Sequence, residues 1–133
     1  MKTLLDENID VRFKKLLANI EVYTAREKGW QKLKNGELRK KMEQEGFEAL
    51  ITADKNMPFQ QNLTQLSFVI VLIDTPALTF EFQEFFLPKT QQFLSNPPNP
   101  LPKIVHVSME GTTKGNRREQ LQKLLPAGDL LCL

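Results

Sequence analysis

Apolar runs of strand length recur along the chain, and stretches with a helical spacing of apolar positions fall between them. Residues 2–5 form the first run, a short buried strand that stops abruptly on Asp6, Glu7 and Asn8. Asn8 is placed to cap a following helix, in which Val11, Leu16, Leu17 and Ile20 recur at near-helical intervals with Arg12, Lys14 and Lys15 turned to solvent. Residues 20–24 alternate and are β-branched, which predicts a second strand. Residues 25–28 have room for one helical turn before Gly29, and residues 30–36 read as a loop ending on the turn signal Asn35-Gly36. A helix follows from Glu37 to Glu45, with Leu38 and Met42 four apart on one face and Gly46 as its stop.

Residues 47–52 return as a strand, followed by the acid and polar turn of Asp54, Lys55 and Asn56. Residues 57–63 read as a loop or short helix containing Gln60-Gln61-Asn62. Residues 67–73 read as a strand that is continuously apolar from Phe68 to Ile73, the pattern of a strand covered on both faces. Thr75 and Pro76 are suited to an N-cap and first helical position, opening a helical region rich in Phe80, Phe82, Phe85, Phe86 and Phe93 and interrupted near Pro88. The four prolines between Asn96 and Lys103 force an extended connection. Residues 104–108 alternate as a last strand, residues 111–115 are polar and turn-rich, and residues 116–125 are suited to a helix using Leu121, Leu124 and Leu125. Strands alternating with helices predict an α/β fold with a parallel sheet and right-handed crossovers. The alternation ends after Ser108, where a boundary between a domain (1–108) and a C-terminal extension (109–133) is expected.

Composition changes this picture little. At 133 residues the chain is most simply one domain. A hydrophobic content of 41% with 26% charged residues is ordinary for a soluble globular protein, and a net charge of +2 does not by itself mark a nucleic-acid binder. Cys132 alone excludes an internal disulfide framework, and His106 alone excludes a multi-histidine zinc site. No run is long enough to span a bilayer, and Asp6 and Glu7 stand where a signal peptide has its apolar core. The expected setting is soluble and cytoplasmic, without a membrane.

The candidate chemistry lies in the acids. Asp6, Asp54 and Asp74 each end a predicted strand, and Glu37 opens a helix. In an open parallel sheet, acids at the carboxyl ends of the strands reach one crevice, where hard divalent ions are held by clustered oxygen ligands. Turn formation and helix capping use the same residues at the same places, so both uses stay open for Asp6 and Asp54, whereas Asp74 before Thr75-Pro76 reads as a cap. Lys32, Lys34, Arg39, Lys40 and Lys41 form a basic stretch beside Glu37, suited either to a phosphate backbone or to a solvated helix face. His106 reads as a strand side chain, and Trp30 as a loop residue covering the core.

In order along the chain, Leu4-Leu5-Asp6-Glu7-Asn8, Gly29-Trp30, Asn35-Gly36-Glu37-Leu38, Gly46-Phe47 and Leu50-Ile51-Thr52-Ala53-Asp54-Lys55-Asn56 resemble a small PIN-like family often encoded beside toxin–antitoxin genes. Gln60-Gln61-Asn62-Leu63 and Val69-Ile70-Val71-Leu72 are similar to one branch of it, and the resemblance covers residues 1–108 at most. It implies a PIN-like three-layer α/β/α sandwich with a central parallel sheet, and a magnesium- or manganese-dependent endoribonuclease. Asp6, Glu37 and Asp54 match the family's metal-holding acids, with Glu7, Asn8 and Asn56 in support and Lys32, Lys34, Arg39 and Lys55 as candidate RNA contacts. Asn56 stands where many relatives carry a further acid, so the rival expectation is a binding module that kept the scaffold and lost the chemistry. The implied partners are RNA, a cognate antitoxin and a second copy of the chain, the last through the phenylalanine-rich segment.

Overall fold

The computed structural model describes residues 1–60, 62–109 and 116–133, so Gln61 and the turn-rich 111–115 lie outside the described residues. The apolar runs become one sheet of β1 (Thr3–Leu5), β2 (Val22–Thr24), β3 (Ala49–Thr52), β4 (Val69–Asp74), β5 (Ile104–Ser108) and β6 (Leu130–Cys132). Their order is β2-β1-β3-β4-β5-β6, and every neighbouring pair is parallel. The two-residue period of each strand sorts its side chains between two helical layers. Leu5, Ile51, Val71 and Val105 pack on the side of α1 (Phe13–Leu16), α4 (Phe80–Glu84) and α5 (Leu87–Ser95). Leu4, Leu50, Ile70 and Ile104 pack on the side of α2 (Asn35–Gln44), α3 (Met57–Gln60) and α6 (Asn116–Leu124). This is a three-layer α/β/α sandwich.

Several local expectations change. The buried residues at α1 are Phe13 and Leu17, whereas Val11 and Leu16 are 60% and 43% exposed. Asn35-Gly36 is not a turn but the start of α2, and Gly46 ends that helix with φ at +72°, where only glycine is unstrained. Thr75 and Pro76 do not open a helix: the Thr75 hydroxyl closes a turn on Ala77, and α4 begins at Phe80. Trp30 does cover the core, packed edge-on to Phe47.

The crossovers do not all share one hand. The β3–β4 and β4–β5 connections step the same way across the sheet, but α3 lies on one face while α4 and α5 lie on the other. The preference for right-handed crossovers is strongest where a single helix packs back directly. Here two helices and a proline-rich run intervene, and Gln83 pins α4 to the turn after β1 on the α1 side.

The segment after Ser108 belongs to the same sheet. In α6, Leu121 is fully buried and Leu125 beyond it nearly so, while Leu124 is 45% exposed. β6 then pairs with β5 from Ile104↔Leu130 to His106↔Cys132. The boundary after Ser108 marks a change of sequence pattern, not of packing. Leu121→Ala is therefore expected to cost about 2–5 kcal/mol, as for a core leucine, in urea unfolding of the whole chain. A change below about 0.5 kcal/mol would show α6 to be an appendage.

Candidate functional site

The direction of the chain reverses between β1, which leads outward to β2, and β3, which starts the run the other way. The crevice beyond the carboxyl ends of two such strands is where open α/β sheets bind ligands. Asp6 leaves β1 there, its N–H bonded to Ile51 O at 2.9 Å, and Thr52 ends β3 directly across from it. The Thr52 hydroxyl donates to Asp6 Oδ2 at 2.8 Å and accepts the Asp54 N–H at 3.0 Å, so one side chain ties both acids. Asp6 Oδ1 accepts the Glu7 N–H at 2.9 Å, and Asp54 Oδ1 accepts the Asn56 N–H at 3.0 Å. Burial pushes the Asp6 carboxyl above its ordinary pKa; the bonds from Thr52 and Glu7 pull it down, and the charges of Glu7 and Asp54 raise it again.

Asn8 does not cap α1, whose start lies at Arg12 and Phe13. Its side-chain oxygen accepts the Ala53 N–H at 3.0 Å and laces the turn after β1 to the end of β3. Two hollows flank this lacing. One, of about 300 Å³, is lined by Asp6, Glu7, Thr24 and Arg26. The other, of about 410 Å³, is lined by Asn8, Asp54, Lys55, Asn56 and Leu78. The buried Gln83 fixes the turn that carries Asn8: its Nε2 donates to Asn8 O and Leu78 O at 2.9 and 3.1 Å, and its Oε1 accepts the Asp10 N–H at 2.8 Å.

The structure thus sets Asp6 and Asp54 on neighbouring strand ends, linked through Thr52 but lining different hollows, and leaves Glu37 apart, exposed in the first turn of α2 and lining neither hollow. Among the described residues, no three histidine, cysteine, aspartate or glutamate side chains are grouped to hold a metal ion. Asp6 and Asp54 nevertheless offer hard oxygen ligands. Magnesium commonly takes only one or two carboxylates and completes its shell with water and phosphate. The partly buried Asp6 carboxylate, held by hydrogen bonds from Thr52 and Glu7, is also a group that a cation would stabilise. Lys55 lines the Asp54 hollow, Lys32 and Lys34 are exposed before α2, and Arg39 lies 3.8 Å from Glu43 and donates weakly to Gln65.

Asp74 is not a helix cap. At 5% exposure its carboxylate receives Arg117 Nη1 at 2.7 and 2.8 Å and His106 Nε2 at 2.9 Å, with Lys55 Nζ 3.6 Å away. Arg118 Nε donates to His106 Nδ1 at 3.1 Å, so the ring proton sits on Nε2 and points at Asp74. Arg118 Nη2 continues to Ser108 Oγ and the Leu133 backbone oxygen. Burial raises the Asp74 carboxyl, but the hydrogen bonds from His106 and Arg117 and the charge of Arg117 outweigh it, bringing the pKa from 3.8 to about 2. The sequence did carry a signal for this network. Arg117, Leu121 and Leu125 are four apart, so the buried stripe of α6 begins on a cation that needs an anion across from it. Gln83 likewise begins the buried stripe that continues through Phe86 and Thr90.

Compared with protein-family models, curated proteins and solved structures, the chain has no match.

The depressed Asp74 pKa lies below that of an unfolded aspartate, so its stabilisation is complete above about pH 4 and is lost as the pH falls towards 2. The loss amounts to about 2 kcal/mol. Urea midpoints measured between pH 5 and pH 2 should fall accordingly, and Arg117→Ala should shrink that pH dependence while weakening the fold at pH 7 by roughly 2 kcal/mol. An unchanged pH profile in Arg117→Ala would refute the assignment.

Proposed function

We propose that the chain is a PIN-like, metal-dependent endoribonuclease whose site is the carboxyl-edge crevice between β1 and β3. The observation that carries this reading is the delivery of Asp6 and Asp54 from neighbouring strands to the point where the strand order reverses. Bound there, magnesium or manganese would act as a Lewis acid and lower the pKa of its water. Thr52 holds the Asp6 carboxylate in place, Asn8 fixes the turn that carries it, and Lys55 offers a cation on the rim for a phosphate. Glu37 is not required by this reading, since it stands outside the crevice. A toxin role with a cognate antitoxin, and self-association, belong to the proposal through the family resemblance alone.

A second reading is a binding module without catalysis. The lacing of Asn8 to Ala53, with Asp6 and Asp54 opening onto different hollows, favours it, as does Asn56 in place of an acid. Two measurements separate the readings.

With manganese, the full chain should cleave single-stranded RNA, Asp6→Asn should slow cleavage roughly 100-fold, and Asn56→Asp should raise it. Cleavage at equal rates by wild type and Asp6→Asn would remove Asp6 from the site. Manganese at about 100 times its Kd should stabilise the wild type by about 2.7 kcal/mol in thermal unfolding and leave Asp6→Asn unmoved. RNA binding with neither cleavage nor manganese stabilisation would establish the second reading.

A further inference from the structure

The two edges of the sheet are finished differently. At one edge β2, three residues long like β6, follows Glu21, and the ammonium groups of Lys2, Lys14 and Lys28 lie 5.6, 5.9 and 5.5 Å from the Tyr23 ring centroid. Charges of this kind discourage a further strand. At the other edge β6 reads Leu130-Leu131-Cys132, with no charge and no proline, and each of its residues is only half-buried. Among the described residues β6 has β5 as its one hydrogen-bonded neighbour. Leu133 directs its N–H to His106 O at 2.9 Å, and its own backbone oxygen accepts the Ser108 N–H at 3.2 Å. The alternation of a strand then turns the N–H and C=O of Leu130 and Cys132 outward.

A groove lies on each face of this edge. On the α5 side Phe93, Pro97, Leu131 and Leu133 line a space of about 630 Å³. On the α6 side Leu125, Leu130 and Cys132 line one of about 220 Å³. Side chains of an added strand alternate between the two faces, so one strand would fill both grooves. Outward backbone groups of this kind are matched by another extended backbone, and flanking grooves select its alternate side chains. The charged residue lining these grooves is Lys89.

We propose that the β6 edge docks an extended segment of a partner protein, which adds a seventh strand with apolar side chains and an acidic residue facing Lys89. Joining β6 to β6 of a second copy about a two-fold axis would place both Lys89 ammonium groups on the same face of the joint, with no acidic side chain among the described residues of the groove linings to meet either. A partner of opposite charge is the better fit. Neither groove is lined by Asp6 or Asp54, so the proposal stands independently of the nuclease reading.

The test titrates the full chain with a fluorescein-labelled hexapeptide of five valines and one glutamate, and with its counterpart carrying lysine in the glutamate's place. Anisotropy reports affinity, and amide ¹⁵N spectra report the site. The acidic peptide should bind and shift the Leu130 and Cys132 amides, and the lysine peptide should bind about two- to fivefold more weakly. Lys89→Glu should invert that order. Cys132→Pro removes an outward N–H at an edge position where proline is tolerated, and should abolish binding in a folded chain. If that variant fails to fold, the Lys89→Glu inversion still decides. The proposal is overturned by equal affinity for the two peptides, by no saturable binding at about 1 mM peptide, or by undisturbed binding to folded Cys132→Pro. Sedimentation that finds copies of the chain joined through β6 would also overturn it, by giving the edge to a second copy.

Discussion

A parallel strand covered by helices on both faces has no room for a solvated side chain along its length, so its polar residues are driven to its ends. In this chain Leu50, Ile51, Ile70, Val71, Leu72, Ile104 and Val105 are all essentially inaccessible. The carboxyl ends of β1, β3, β4 and β5 instead deliver Asp6, Thr52 and Asp54, Asp74, and Ser108. Asp6, Asp54 and Asp74, the strand-end aspartates, all gather along that one edge. The edge is then divided by what reaches each acid. Burial raises the Asp6 carboxyl against the pull of a hydroxyl and a backbone amide, whereas Asp74, although buried, is lowered by His106 and Arg117. Two aspartates two strands apart on one sheet edge thus have their pKa values moved in opposite directions.

The strands and the long helix were legible because their signals are local. The alternation of 104–108 and the pair Leu38 and Met42 depend only on neighbours in sequence, and both kept their predicted places. Failures came where the deciding partner is far away along the chain. Val11 and Phe13 are both apolar, and distant partners decide between them: Phe13 joins the core of Leu5, Val71 and Phe86, with Phe80 edge-on to its ring at 6.5 Å, while Val11 stays exposed. Asn8 looks like a cap until the β3 backbone arrives with an N–H 45 positions later. Asp74 before Thr75-Pro76 looks like a cap until Arg117 arrives 43 positions later. β6 is three residues long and half-buried, too brief to show a period of its own.

The candidate site was legible in part for the same reason. Asp6 and Asp54 follow apolar runs that end in register on adjacent strands, so strand order alone brings them together. Glu37 lies on a helix, where its direction depends on how Leu38 and Met42 seat against the sheet, and that rotation leaves it in solvent. Lys55 was legible as a neighbour of Asp54, but its approach to Asp74 depends on β3 and β4 lying side by side.

The network around Asp74 also has a consequence for the order in which the protein is made. Domains fold as units while the chain emerges from the ribosome N-terminal end first. When β4 and β5 are already complete, Arg117, Arg118 and β6 have still to emerge. Until they do, the Asp74 carboxylate lacks its guanidinium partner and β5 is an unprotected outer strand. The segment that neutralises Asp74 is therefore translated after the strands it completes, which ties closure of the sheet to the emergence of residues 117–132.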